Sequence, residues 1–580
     1  MARHGLRWAA PAARFPRLHA ATRHGQILTD PQVIVIGSGA GGAAFACGLA
    51  QSGVRVQVLE AGPRYDPRSD YRLSLPGWEQ TRFPAKVETR QRQTHGPMQA
   101  LEDQWDDLRS WNRVSGRTIP PGQRMFAEYH HVIGVGGSTL HFTGEAHRLH
   151  PGAMAMHSRF GVAADWPFDY AELEPWYIEA ERLMGVAGPA NGTVRPRSAP
   201  YPLPAHELSY ASRTLGAGCA KLGLSWVPNS VASLSRPYDG RPACNYCGQC
   251  NRGCPRFDKG TADITFLAKA LATGNCTLST ASPVLRLEVG SNDRVKAAVY
   301  ADAEGQLHRV EAELFVLACG AVETPRLLLN SATADAPHGL ANESGLVGKN
   351  FMETLFWSSA GLHPEPQGSN RGLPSDAICW DYNAPDAIPG VIGGCRLSPS
   401  THEADLSGPI NYALRVVGGW GHAHKQAMRE QFGRVLSVGT IGESLPNAGS
   451  YIDLDPQEKD VAGMPKARIN SHLDDMALAR LRFMANKARE ILDAAGADQL
   501  VEEYGTYDMF NSTHVFGTCR MGKEAENSVV DAHCRSHRWR NLMVVDASVF
   551  PSSGGGEAPS LSIAALALRA ANFAGMGSGK

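Results

Sequence analysis

Four thiols fall within eleven residues of this chain, in the run Cys244-Asn245-Tyr246-Cys247-Gly248-Gln249-Cys250-Asn251-Arg252-Gly253-Cys254-Pro255. C-x2-C-x2-C-x3-C-P is the spacing of bacterial ferredoxins, and such short spacers let three or four thiolates converge on one iron-sulfur cluster. A structural zinc in a four-thiolate tetrahedron, or plain packing and disulfides, are the other readings of the same residues. A second constellation lies at Gly37-Ser38-Gly39-Ala40-Gly41-Gly42, with Glu60 some twenty residues on. Gly37 permits a tight turn, Gly39 lets a pyrophosphate approach the backbone, and Gly42 allows a helix to pack closely on a strand. Glu60 can accept hydrogen bonds from both hydroxyls of an adenosine ribose. From this segment alone NAD and FAD are equally suited.

The elements needed to hold these groups are legible around them. Val33 to Ile36 is an apolar strand, the glycine turn follows, small and apolar residues then recur at helical spacing, and Val54 to Leu59 is a second strand ending at Glu60. The helix start supplies N–H groups and partial positive charge to a bound phosphate. Glycine numbers 61 of 580 residues, a surplus that close backbone approaches to a bound group would absorb. With 56 Lys and Arg against 57 Asp and Glu, the chain lacks the basic excess of a nucleic-acid binder. No apolar run reaches the ~18 residues of a membrane span, so an integral membrane protein is not expected. Residues 1–30 are read as a basic N-terminal extension without the apolar core of a secretory signal. That leaves a cytoplasmic location, or a periplasmic one by co-export with a partner, equally open. The other eight cysteines are scattered and read as small core side chains.

Three later segments carry a resemblance. Gly134-Val135-Gly136-Gly137-Ser138-Thr139-Leu140-His141 is a second glycine-rich turn, and Gly320 to Ser331 follows an apolar strand at Leu314 to Cys319. The third holds His514-Val515-Phe516-Gly517-Thr518-Cys519-Arg520-Met521-Gly522, Asn541 to Pro551 around Asp546, and a helix-like stretch from Pro559 to Phe573. With the N-terminal turn, these motifs resemble the glucose-methanol-choline (GMC) oxidoreductases, flavoenzymes that oxidise alcohols, over roughly residues 31–575.

The resemblance implies FAD as cofactor, with Gly136, Gly137, Ser138, His141, Asp546 and Pro559 joining Gly37, Gly39, Gly42 and Glu60 at its site. Asp546 would take a ribityl hydroxyl, and the helix near Ser560 would aim its positive end at the flavin pyrimidine edge. It also makes His514 the catalytic base, since a neutral imidazole with a reference pKa of ~6.5 suits the removal of a hydroxyl proton. Where the family carries a second His or Asn before the proline that opens the last helix, this chain has Ala558. Glu557 or His141 then becomes a candidate for the second contact, or His514 works alone. GMC dehydrogenases of the glucose, gluconate and fructose type carry a three-iron cluster in an insert similar to the cysteine run. They imply electron transfer to a cytochrome or quinone, with a small partner subunit.

The expected architecture is α/β: a discontinuous Rossmann-like FAD-binding domain and a second α+β substrate domain on a mostly antiparallel sheet. We divide it as 31–349 with a cysteine-rich insert at 240–260, a substrate domain at 350–509, and a C-terminal return at 510–580. Within 350–509 the pattern predicts strands at Ile410 to Trp420 and Arg434 to Ile441. It also predicts a helix from Asp474 to Ala495 with Ala477, Leu481, Met484, Ala488 and Ile491 on its core face. Trp357, Trp380, Tyr382, Tyr412 and Trp420 are candidates for stacking on a sugar or aromatic alcohol. The expected function is oxidation of a small-molecule alcohol through FAD and a 3Fe-4S or 4Fe-4S cluster. Alternatives are an oxygen-using oxidase without a cluster, a lyase with structural FAD, and an inactive assembly subunit.

Overall fold

The computed structural model describes residues 31–71, 79, 93–190 and 195–577, so the basic extension at 1–30 lies outside it. Strands Val33–Ile36, Val56–Leu59, Cys276–Ser279, Leu314–Leu317 and Leu542–Val544 form one parallel sheet. Their spatial order is 276–279, 56–59, 33–36, 314–317, 542–544. All four residues of Val33–Ile36 are buried, as a strand covered on both faces requires. The sheet therefore joins both ends of the chain, the discontinuity expected from the sequence. Helix Ser560–Gly577 lies against helix Ala40–Gln51, where the absence of a side chain at Gly48 lets Ala571 approach.

A six-stranded sheet stands apart from it, ordered 395–399, 435–442, 355–362, 499–505, 111–112, 116–117, with every neighbouring pair antiparallel. The short strands at 111–117 thus reach into it across the boundary drawn at 350. Helix Asp475–Ala494 backs this sheet, its first turn capped by Asp474, whose side chain accepts from the Ala477 N–H at 2.8 Å. The five expected core positions are buried, packing with Leu355, Trp357, Leu436 and Val438, and Gly496 at φ +89° closes the helix.

One expected strand is absent. Residues 410–420 begin as helix Pro409–Arg415, opened by a proline whose missing N–H costs nothing at the first helical position. Tyr412 and Val416 are buried at a four-residue interval, while Leu414 between them is 64 % exposed. The alternation that suggested a strand was a coincidence of a two-residue sampling of a helical face. The other strand runs Val435–Gly442, one residue displaced from its expected position.

Candidate active site

A single cavity of about 900 Å³ connects the first glycine turn, the second glycine turn, the start of the last helix and the substrate sheet. Gly37, Gly39, Glu60, Gly137, Ser138, His141, Asp546, Pro559 and His514 all line it. The sequence-predicted residues from four distant stretches are brought to one place.

At its dinucleotide end, Gly37 has φ +97° and a Cβ there would lie 2.5 Å from the Ala318 carbonyl oxygen, so both conformation and space select glycine. A methyl at Gly42 would run into the Gly37 carbonyl, whereas one at Gly39 would meet nothing within 4 Å. That open side of Gly39 faces the cavity, which is where a pyrophosphate needs room. Glu60 accepts from the Ser38 N–H at 3.0 Å, the Ser38 hydroxyl at 2.6 Å and the Gly62 N–H at 2.9 Å. Ser38 Oγ in turn accepts from the Gly136 N–H at 3.2 Å. Ser38, read from the sequence only as a turn residue, is the clasp between the two glycine turns and the acid. Its signal was its place inside the turn, opposite a strand-end carboxylate.

Asp546 follows strand 542–544 and accepts from the Gly320 N–H at 2.9 Å, the Thr324 hydroxyl at 2.6 Å and the Ser548 N–H at 2.8 Å. Its carboxylate knots the last strand to helix Gly320–Asn330 at the cavity rim. Gly136, at φ +102°, precedes the 3-10 turn Gly137–Leu140, and His141 closes it. Ala558, Pro559 and Ser560 bring the positive end of the last helix to the same cavity. The lining therefore suits FAD: glycine turns without side chains, an acid at the end of the second strand, and a helix N-terminus.

His514 sits between two short strands that are each paired elsewhere. Met509–Ser512 runs parallel to Met125–Tyr129, and Val515–Phe516 pairs with Met352–Glu353. Its carbonyl accepts from the Thr354 N–H at 3.0 Å and the Ser512 hydroxyl at 3.1 Å, which fixes the backbone and leaves the half-buried ring on the cavity wall. Burial pushes the imidazole pKa down to about 4, with Arg396 acting in the same direction and Glu145 opposing. The neutral, proton-accepting form then persists well below pH 6.5. For the free enzyme, the acid limb of kcat/KM that belongs to this ring should come as pH drops through about 4, as the ring protonates. A pH–rate profile whose acid limb sits near the ordinary histidine value of ~6.5 would contradict this.

The wall beside His514 carries residues the sequence did not single out. Glu145 accepts from Arg396 Nη2 at 2.5 Å, Ser375 Oγ at 2.8 Å and Asn229 Nδ2 at 3.0 Å. His147 is buried behind Ala558: its Nε2 meets Asn229 Oδ1 at 2.9 Å and its Nδ1 accepts the Ala558 N–H at 3.0 Å, which assigns a neutral ring. Thr143, Arg396 and Glu403 also line the cavity. None of these lies at a motif spacing, so nothing in the sequence marked them.

Two expectations are corrected. Glu557 is buried away from the cavity lining, where its Oε1 takes Arg195 Nη2 at 2.7 Å and the His150 N–H at 2.9 Å; a buried ion pair, not substrate, holds it. The stacking aromatics are elsewhere: Trp357 and Tyr412 are fully buried in core, Trp420 is 89 % exposed, and neither Trp380 nor Tyr382 lines the cavity. The four thiols of the expected metal set, Cys244, Cys247, Cys250 and Cys254, lie near enough for Cys250 to feel the charge of the other three. Among the described residues no three His, Cys, Asp or Glu side chains gather as a metal-ligating group.

The cysteine segment is closed by other bonds. Cys254 Sγ donates to Asp258 at 3.1 Å, Cys244 Sγ accepts the Tyr246 N–H at 3.3 Å, Cys247 is exposed and Cys250 is buried. The buried Lys259 ammonium donates to the carbonyls of Cys250 at 2.6 Å, Leu140 at 3.0 Å and Phe142 at 2.9 Å. A lysine thus clamps this turn onto the second glycine motif.

A parallel sheet carrying a dinucleotide turn, completed by the chain's last strand and helix, and an antiparallel sheet facing the same cavity define a two-part flavoenzyme of the Rossmann type. The GMC oxidoreductase family models match residues 158–355 and 446–567, and a Rossmann-like NAD(P)-binding model matches 35–67. The chain is 30 % identical over 550 residues to a 2-methyl-1,2-propanediol dehydrogenase of Mycolicibacterium austroafricanum, covering 93 % of this chain and 94 % of that one. It is 29 % identical to the fructose dehydrogenase large subunit of Gluconobacter japonicus, covering 93 % and 97 %. The fold is that of Aspergillus oryzae formate oxidase, at a TM-score of 0.61 and 16 % identity over 94 % of this chain and 98 % of that one. The chain belongs to the GMC oxidoreductase family and is an FAD-dependent enzyme acting on alcohols. Among the described residues no helix is long and apolar enough to cross a membrane.

Proposed function

We propose that the chain oxidises a primary or secondary alcohol, a sugar or polyol included, with His514 as the base. The observation that supports this reading is that His514 lines the same cavity as the glycine turns and the start of the last helix. Bound against those turns, FAD supplies the acceptor for the hydride leaving the carbinol carbon. His514 takes the hydroxyl proton on a ring nitrogen, so that no cationic carbonyl has to form. Phe142, Phe356 and Ile441 add apolar surface to the same cavity. Asp546, the two glycine turns and Glu60 hold the cofactor, and residues 31–349 with 510–580 are assigned to that task.

Electron delivery from the reduced enzyme to an external acceptor is part of the proposal, but no iron-sulfur relay is assigned to the cysteine segment. The likeness to a chain named as a large subunit supports a smaller partner subunit here. An oxygen-using oxidase is the second reading, supported by the likeness to a chain named 6'''-hydroxyparomomycin C oxidase. Anaerobic titration of the FAD-loaded protein with a panel of diols, sugars and simple alcohols tests both. Bleaching of the flavin absorption supports oxidation, and stoichiometric peroxide on admitting air selects the oxidase. Flavin that no alcohol bleaches would end the proposal.

A further inference from the structure

The chain has no polar atom in the side chain of residue 558, and Glu557 is committed to Arg195, so neither supplies a second contact to substrate. On the substrate side of the cavity, Glu145, Arg396 and Glu403 lie within electrostatic reach of one another. Arg396 is spent on Glu145, on Ser398 and, through Nε at 3.1 Å, on the Gly556 carbonyl. Glu145 is saturated by Arg396, Ser375 and Asn229. Glu403 differs: it hydrogen-bonds the Thr143 hydroxyl, and among the described residues no cation pairs with it at ion-pair distance.

Its backbone is firmly placed. The Ala404 N–H donates to Ser400 O at 2.8 Å, the Leu406 N–H donates to Thr401 O at 2.9 Å, and Asp405 is bound to Arg252 at 2.9 Å. His402 on one side packs against Gly248, where any side chain would collide with the imidazole. The cysteine segment therefore braces the stretch 402–405 from outside while Glu403 faces the cavity. Burial, reinforced by the Glu145 charge and opposed by Arg396, pushes the Glu403 carboxyl up to about 7. At neutral pH such a group both donates and accepts, which matches a hydroxyl better than it matches a fixed anion or cation.

We propose that Glu403 is a specificity-determining residue that holds a second hydroxyl of a diol or polyol, in place of the contact residue 558 does not make. The inference rests on the oxidation reading above and names its substrate class. A simple alcohol of the same length would leave the hydrogen bond between substrate and the Glu403 carboxyl unmade. Sites that hydrogen-bond a substrate hydroxyl discriminate strongly against analogues lacking it, here by an expected ~10²-fold or more.

The test compares 1,2-propanediol with 1-propanol on the FAD-loaded enzyme, by the apparent second-order rate of anaerobic flavin bleaching. Wild type should prefer the diol by ~10²-fold, Glu403→Leu should bring the ratio to near parity, and Glu403→Gln, which keeps a donor and an acceptor, should restore at least a tenth of the preference. A retained flavin spectrum in each variant shows that the fold is intact. No diol preference in wild type, or an unchanged preference in Glu403→Leu, overturns the assignment. If no alcohol bleaches the wild-type flavin, the oxidation reading fails separately. Glu403 is then scored by the diol-induced shift of the flavin absorption, present in wild type and lost in Glu403→Leu if the assignment holds, and equal in both if it is wrong.

Discussion

His514→Ala should lower turnover by at least ~10²-fold, and up to ~10⁴-fold if general-base catalysis makes its full contribution, while the flavin spectrum and the folded state are retained. The division of labour within this residue makes the experiment clean. Its structural bonds run through the carbonyl, which accepts from Thr354 and Ser512, and alanine preserves that carbonyl. The flanking pairings at 509–512 and 515–516 are backbone ladders indifferent to the side chain. What alanine removes is an imidazole held neutral by burial on the cavity wall. Stopped-flow bleaching by any alcohol that reduces the wild-type flavin reads the effect directly. Loss of flavin along with activity would assign His514 to cofactor binding, and near-normal turnover would remove it from the mechanism.

The cofactor end was legible because its chemistry is written in backbone requirements. Gly37 and Gly42 are glycines for want of space against Ala318 and Gly37 itself, and such constraints leave the same residues in the same local order. Helix 475–494 was legible for a related reason, since twenty residues of regular periodicity average out local ambiguity. The substrate wall was not. Glu145, Arg396 and Glu403 come from three separate stretches and meet only through the fold, so no spacing announces them. Residues 410–420 failed as a short segment in which apolar positions two apart fit a strand and a helix equally well. The cysteine run shows a different limit of spacing: it says that four thiols can converge, but not that Lys259, Asp258 and Tyr246 supply the bonds that close the turn.

Arg195→Met should cost about 3–5 kcal/mol of stability, because it strands a carboxylate that has no exposure of its own. Glu557's side chain is 0 % exposed and that of Arg195 7 %, at 2.7 Å, with Arg195 also stacked on Trp380 and bound through Nε to the Arg148 carbonyl at 3.0 Å. Removing the guanidinium leaves Glu557 with the His150 N–H and Asn383 alone, too little for a buried charge. The same logic predicts that Arg195→Met combined with Glu557→Gln regains much of the loss, since the neutral amide needs no counter-charge. Glu557→Gln alone should keep turnover within about tenfold of wild type, short of the ~10²-fold that a lost acid or base entails. Denaturant unfolding of the three variants, with flavin bleaching on each, separates the roles. If Glu557→Gln instead falls as far as His514→Ala while its flavin spectrum and unfolding midpoint stay unchanged, the carboxylate acts on substrate and the ion pair is only its resting partner. If Arg195→Met unfolds at the wild-type midpoint, the pair contributes nothing to holding the turn at 554–558 beneath the last helix.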